Sequence, residues 1–183
     1  VKTLFDKSRS SIDLEIKADV LLEIDDKKVS VGMFTERKDD TTSLRFDVAD
    51  ICRAAETFEL DLGQEEAEVV SRYPGKAPTL IKISRDAKKL SKAEKLKNKR
   101  FPEDAYKHVY WSYNLTRELG PELAKEIMDA HEMAPGNTPQ EHLMDYNNNA
   151  VGQKYASKSM DADAIKDLVL HSAEVIRDPS EVR

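Results

Sequence analysis

Three short clusters hold most of the side chains in this sequence that could do chemistry. Asp104, His108 and Trp111 form the first, Asp129-Ala130-His131-Glu132 the second, and Asp145 with Asn147-Asn148-Asn149 the third. The chain has four histidines, and three of them, His108, His131 and His142, fall between residues 104 and 152. A carboxylate one helical turn before an imidazole can hold one ring nitrogen and fix the tautomer. The other nitrogen is then free to act as a base or to bind a metal. Asp104 and His108 have that spacing. Trp111 and Leu115 continue the same helical face, so His108 is expected beside an aromatic ring that excludes water.

The second cluster cannot converge as a whole. His131 lies about 200° round an ideal helix from Asp129, so His131 and Glu132 are expected to face the centre. Asp129 would then cap nearby backbone or join from the side. In the third cluster, three consecutive asparagines disfavour a helix by roughly 1.5–2 kcal/mol relative to alanine. Met144, Asn148, Val151 and Tyr155 share one face, which predicts Asn148 inside. Asp145, Asn148 or Asn149, and Gly152 form the adjoining stripe, where Gly152 would admit a close helix. Buried amides need partners, supplied either by the neighbouring helices or by a water, a metal or a substrate.

These residue types predict a hydrolase, with metal assistance, acting on a phosphoester, lipid or cell-envelope substrate. His108 is the expected base or ligand, Asp104 its orienting partner, and His131 and Glu132 the acid/base groups. Trp111, Asn148 and Asn149 would contact substrate. His108, His131 and Asp145 are the expected metal ligands, and by ligand type they suit zinc, manganese or magnesium. Their spacing is not that of HExxH. The alternative is a non-catalytic binding module in which the same polar groups lock three helices together.

Helices must position all three clusters. Pro102 precedes a segment from Asp104 to Leu119 that Gly120 stops. Pro121 opens the next at its tolerated first turn, and that helix runs to about Met133. Thr138-Pro139-Gln140-Glu141 is a capping box for the third, and a last helix is expected from about Asp161 to Ile176. Upstream, Lys82 to Arg100 holds nine basic residues against Asp86 and Glu94. Leu80, Ile83, Ala87, Leu90, Ala93 and Leu96 predict an apolar stripe through it. Its basic face is a candidate for contact with an anionic surface such as phospholipid, or with an acidic partner.

The N-terminal part reads differently. Ile12 to Val20, Val29 to Phe34 and Leu44 to Val48 alternate with period two and are separated by Asp25-Asp26-Lys27-Lys28 and Asp39-Asp40-Thr41-Thr42, as in an antiparallel meander. Asp47 to Phe58 reads as a helix, Thr57 to Leu62 as a further strand, and Gln64 to Arg72 as a short helix. The fold class is therefore α+β, an antiparallel β-meander followed by a four- to five-helix α domain. Tyr73-Pro74-Gly75 marks the boundary between a β-rich region 1–72 and a helical domain 73–183.

The clusters together resemble a bacterial domain of unknown function with the pattern D-A-x-[RK]-H-x-x-W, D-A-H-E, M-D-x-x-N-N-x-V-G. They read here as Asp104 to Trp111, Asp129 to Glu132 and Met144 to Gly152. The resemblance covers roughly Tyr73 to Ile176. It implies a setting in secreted and polymorphic-toxin-like proteins and brings no established activity. Lys107 stands where that pattern more often has arginine.

Composition excludes some classes. A net charge of −6 argues against a general nucleic-acid binder, since such proteins carry basic surfaces. One cysteine, Cys52, allows no intrachain disulfide and no CxxC metal knuckle. It is expected to pack as a small apolar residue. No apolar run is long enough for a transmembrane helix. The opening Val1-Lys2-Thr3-Leu4-Phe5 has neither an initiator Met nor a signal-peptide core. Both secreted and cytoplasmic locations fit a soluble chain of this composition.

Overall fold

A computed structural model describes residues 15–182. A three-stranded antiparallel sheet, β1 (Lys17–Ile24), β2 (Lys27–Lys38) and β3 (Thr41–Phe46), comes first, in the order β1-β2-β3. Two-residue turns join the strands, with Ile24 opposite Lys27 and Lys38 opposite Thr41. Asp25 and Asp39 take φ of 52° and 53° there, a conformation that aspartate tolerates better than most residues. Alternation puts Leu22, Val31 and Phe46 under the sheet, while Leu21 and Leu44 face outward. Of the first expected strand, residues 12–14 lie outside the described residues.

Among the described residues seven α-helices follow, where the fold-class reading has a domain of four or five. They are α1 (Val48–Thr57), α2 (Gln64–Ser71), α3 (Ala77–Lys97), α4 (Glu103–Leu119), α5 (Pro121–His131), α6 (Pro139–Tyr155) and α7 (Ala162–His171). The first two precede Tyr73, inside the region read as β-rich. The alternation from Thr57 to Leu62 is not a strand. Phe58 is buried at the end of α1, Glu59 turns the chain with φ of 60°, and Leu60 and Leu62 pack on the core from outside. At the other end α7 stops at His171 rather than Ile176, because Ser172 takes an extended conformation.

Most of the expected helix signals act as read. Asp47 caps α1, and Gly120 stops α4 with φ of 88°. Thr138 and Glu141 form a complete capping box on α6. On α3, Leu80, Ile83 and Ala87 are buried, but Leu96 is 73% exposed and Ser91 is buried in its place. The end of that helix overhangs the core, so its last apolar positions meet solvent.

α4 is the central element. Trp111 and Leu115 join an apolar cluster with the sheet, α1, α2, α3 and α5. Ala105, Val109 and Tyr113 join a second cluster with α6, α7 and Val175. The stripe carrying Asp104 and His108 runs between these two clusters. The first cluster spans the Tyr73 boundary, linking Leu22, Val31 and Phe46 to Leu80 and Ile81. Among the described residues no helix is long and apolar enough to cross a membrane.

Candidate functional site

His108 sits at the junction of α4, α5 and α6 and is 2% exposed. α6 reaches it because Gly152 has no side chain. A Cβ there would lie 2.4 Å from the Val109 carbonyl oxygen and 2.9 Å from the Tyr113 nitrogen, both backbone atoms of α4. This approach brings Asp145 and Asn149, two turns and one turn before Gly152, against the imidazole.

Asn149, not Asp104, fixes the His108 tautomer. The Asn149 amide donates through Nδ2 to Glu132 Oε1 at 2.9 Å, which turns its Oδ1 toward His108 Nδ1 at 3.2 Å. An oxygen in that place needs a proton on Nδ1, so Nε2 carries the lone pair. Glu132 Oε1 lies 3.5 Å from the same Nδ1. Nε2 faces Asp145 Oδ1 at 3.4 Å and Asp104 Oδ1 at 3.7 Å. The latter is too long for a hydrogen bond. Asp104 instead pairs with Lys107 at 2.5 Å.

Asp145 is the least comfortable group in the site. Its Oδ2 accepts from Asn137 Nδ2 at 3.0 Å. Its Oδ1 is buried, and no hydrogen-bond donor among the described residues reaches it. The neighbouring Asp104 carboxyl interacts with it, and the interaction lowers Asp104 and raises Asp145. Burial, then the charges of Asp104 and Glu132, push the Asp145 carboxyl up to about 8. Burial and the Lys107 charge pull His108 down to about 3, so its ring is neutral near pH 7. Burial works against the Asp104 carboxylate, but His108 and Lys107 hold it below the usual range.

His131 lies on the other side of His108, with 6.0 Å between ring centroids and 4.9 Å from the Trp111 ring. Its Nδ1 is 2.8 Å from Glu66 Oε2, on α2. Burial alone would pull His131 down, yet the hydrogen bond and charge of Glu66 leave it raised. Glu132 ends α5, is buried, and is pushed up by that burial. Asp129 points away and pairs with Lys125 at 2.5 Å.

A cleft of about 380 Å³ opens onto Asp104, Lys107, His108, His131, Glu132 and Asp145. Two sets of ligand atoms within it are close enough for one ion: Asp104, His108 and Asp145, and His108, His131 and Glu132. The expected trio of His108, His131 and Asp145 is thus divided between two groups that share His108.

Two expected substrate contacts take other partners. Asn148 is fully buried, but its amide donates to the Ile176 carbonyl at 2.8 Å and accepts from the Ile176 N–H at 3.1 Å. Trp111 donates from Nε1 to Ser84 Oγ at 3.0 Å, and its ring forms a wall beside His131. Cys52 packs partly buried against the core, and burial with the nearby Glu56 raises its thiol, the opposite of an activated nucleophile.

Sequence reasoning missed Glu66, Asn137 and the place of Lys107 in the cleft. Glu66 did leave a signal: it shares a helical face with Val69 and Val70, an acid on an apolar stripe. His142 also shares a stripe with Asp145 and Asn149, and its Nδ1 lies 3.9 Å from Glu132 Oε2.

Residues 67–176 match the family described as "Domain of unknown function (DUF6973)". The chain belongs to this family. The DUF6973 match begins within α2 and contains α3 to α7, so every group of the polar centre except Glu66 lies inside it. No curated protein and no solved structure matches the chain.

Proposed function

We propose that this DUF6973 domain is a hydrolase whose centre is a divalent-cation site formed by Asp104, His108 Nε2 and Asp145. The observation that carries the reading is the buried Asp145 Oδ1, without a donor and 3.4 Å from a histidine nitrogen that carries its lone pair. Carboxylates so placed need a proton or a cation between them. Ligand atoms bound at about 2.1 Å in a tetrahedral shell lie about 3.4 Å apart. The separations of 3.4 Å and 3.7 Å around His108 Nε2 suit such a shell. One nitrogen with two carboxylates favours zinc or manganese over magnesium, which prefers oxygen ligands and retained water.

A divalent cation there would supply Lewis acidity for a water and for a substrate oxygen. The protein's own groups do the rest. Asn149 and Glu132 hold His108 from behind through Nδ1, as outer partners of a ligating histidine do. His131, oriented by Glu66, is placed to donate a proton to a leaving group. Lys107 adds positive charge at the mouth of the cleft. Phosphoester, lipid and cell-envelope substrates all present an oxygen that such a site can polarise.

His108→Ala should lower turnover by about two to four orders of magnitude, and a chelator should do the same to the unaltered chain. His171→Ala, on α7 and exposed, is the control. Equal loss in both variants would contradict the reading. A second reading has its own support: Glu66–His131, Glu132–Asn149 and Asn137–Asp145 cross-link α2, α5 and α6, as a purely structural lock would. It predicts that His108→Ala lowers the melting temperature and changes no activity.

The resemblance to toxin-like proteins extends the proposal to a toxin or effector role, checked by bacterial growth on expression of the unaltered chain against His108→Ala. The exposed Lys89, Lys92, Lys99 and Arg100 near the end of α3 support attachment to an anionic surface. Co-sedimentation with anionic phospholipid vesicles that persists after all four are changed to serine would remove that idea.

A further inference from the structure

Behind the polar cleft lies a second cavity, of about 120 Å³, with a different character. Ala54 and Ala55 of α1 and Ala87 of α3, all buried, leave the space open, and Ile81 and Trp111 wall it. Leu60 and Leu62 cover it from outside, on the segment between α1 and α2.

The two cavities are continuous in their lining. Asp61, Leu62, Lys107 and His131 border both. Trp111 has its Nε1 anchored on Ser84, which fixes the ring as a flat wall 4.9 Å from the His131 ring. Protein interiors rarely keep voids larger than a water molecule, because the lining loses dispersion contacts. An apolar cavity of roughly 150 Å³ stays dry and takes benzene. A space of this size and lining therefore suits an apolar group of about four to six carbons.

We propose that this cavity binds a short acyl group of the substrate, with the carbonyl carbon placed at its mouth beside His131. The substrate class is an ester of a short-chain carboxylic acid. The position of the scissile bond rests on the hydrolytic reading above; occupancy of the cavity does not. In the reaction the water oxygen bonds to the carbonyl carbon and the ester C–O bond breaks. One water proton passes to the leaving alkoxide, giving an acid and an alcohol with no further reactant.

Trp111 is the only tryptophan in the chain, so its emission reports on this wall alone. Hexanamide, a neutral probe, is titrated into the full chain in the presence of a chelator, with acetamide as the short-chain comparison. Hexanamide should shift the emission saturably, and acetamide should not. Ala87→Leu fills the space and should weaken hexanamide binding at least ten-fold with the melting temperature unchanged or raised. If that variant fails to fold, Ala54→Val makes the same test with less added volume.

No saturable response in the unaltered chain, or an equal response in the filled variants, overturns the proposal. The hydrolytic part is read separately, with metal-loaded protein and esters of acetate, butyrate, hexanoate and decanoate. Preference for butyrate and hexanoate, moving to acetate in Ala87→Leu, supports the acyl assignment. A preference unchanged by Ala87→Leu overturns it. Hexanamide binding without hydrolysis of any ester keeps the cavity as a ligand site and removes the hydrolytic reading.

Discussion

Asp145 concentrates the tension in this site. Its carboxyl is raised from 3.8 to about 8, so the folded chain keeps a proton that the unfolded chain releases near pH 4. The stability this contributes is complete below that pH and is lost as pH climbs toward 8. His108, lowered from 6.5 to about 3, works in the opposite sense, but only below 6.5. Between pH 6.5 and 8 the chelated protein should therefore lose a few degrees of melting temperature as pH rises. Asp145→Asn should reduce that slope to the part His131, also raised, contributes as it loses its proton, and a slope unchanged in the variant would place its origin elsewhere. Added cation must displace the proton, so its affinity should rise over the same range. The choice between Asn148 and Asn149 also belongs to this scale. Periodicity placed both near the centre, because neighbours differ by only about 100° on a helix. The register of α6 against α4 decides between them, and that is set by packing.

Among the elements, α6 does two jobs with adjacent residues. Asn149 faces α4, while Asn147 and Asn148 hold the chain after α7 through Glu174 and Ile176. Asn148→Leu should cost about 2–3 kcal/mol, since it strands the partly buried N–H and carbonyl of Ile176 together. Denaturant unfolding checks this, and a loss under about 1 kcal/mol would mean the Ile176 contacts carry little. Gly152→Ala should cost a similar amount, about 3 kcal/mol, because the added carbon meets α4 backbone atoms, which cannot turn aside as the Ser112 hydroxyl beside them can. It should also push Asp145 and Asn149 off His108, so metal affinity falls with stability. A Gly152→Ala chain with full stability would show that α4 and α6 have room to part. The helix starts and stops were legible because they depend on local chemistry: Pro121, Gly120 and the Thr138–Glu141 box. The alternation of Thr57 to Leu62 misled because Leu60 and Leu62 cover a cavity without belonging to a strand.

At the scale of the whole molecule, the sheet and the helices share one apolar cluster across Tyr73. Glu66, which orients His131, comes from α2, before that boundary. This partnership spans 65 positions of sequence, and no local pattern can announce it. We therefore propose that residues 73–183 alone keep helical circular dichroism but melt well below the full chain, with Trp111 emission shifted to the red. A fragment as stable as the full chain would establish two independent units at that boundary. Convergence of α4, α5 and α6 on His108 was legible from three spaced clusters; the division of their ligands was not, because it depends on which ring nitrogen faces which carboxylate. The measurement that bears most directly on the central claim is metal content. Purified full chain, chelated, exposed to zinc or manganese and dialysed, should retain one equivalent of metal. Asp145→Asn, close to isosteric, should retain less than a tenth of that, while His171→Ala retains it all. An unaltered chain that retains no metal, or an Asp145→Asn chain that retains the same equivalent, would contradict the account.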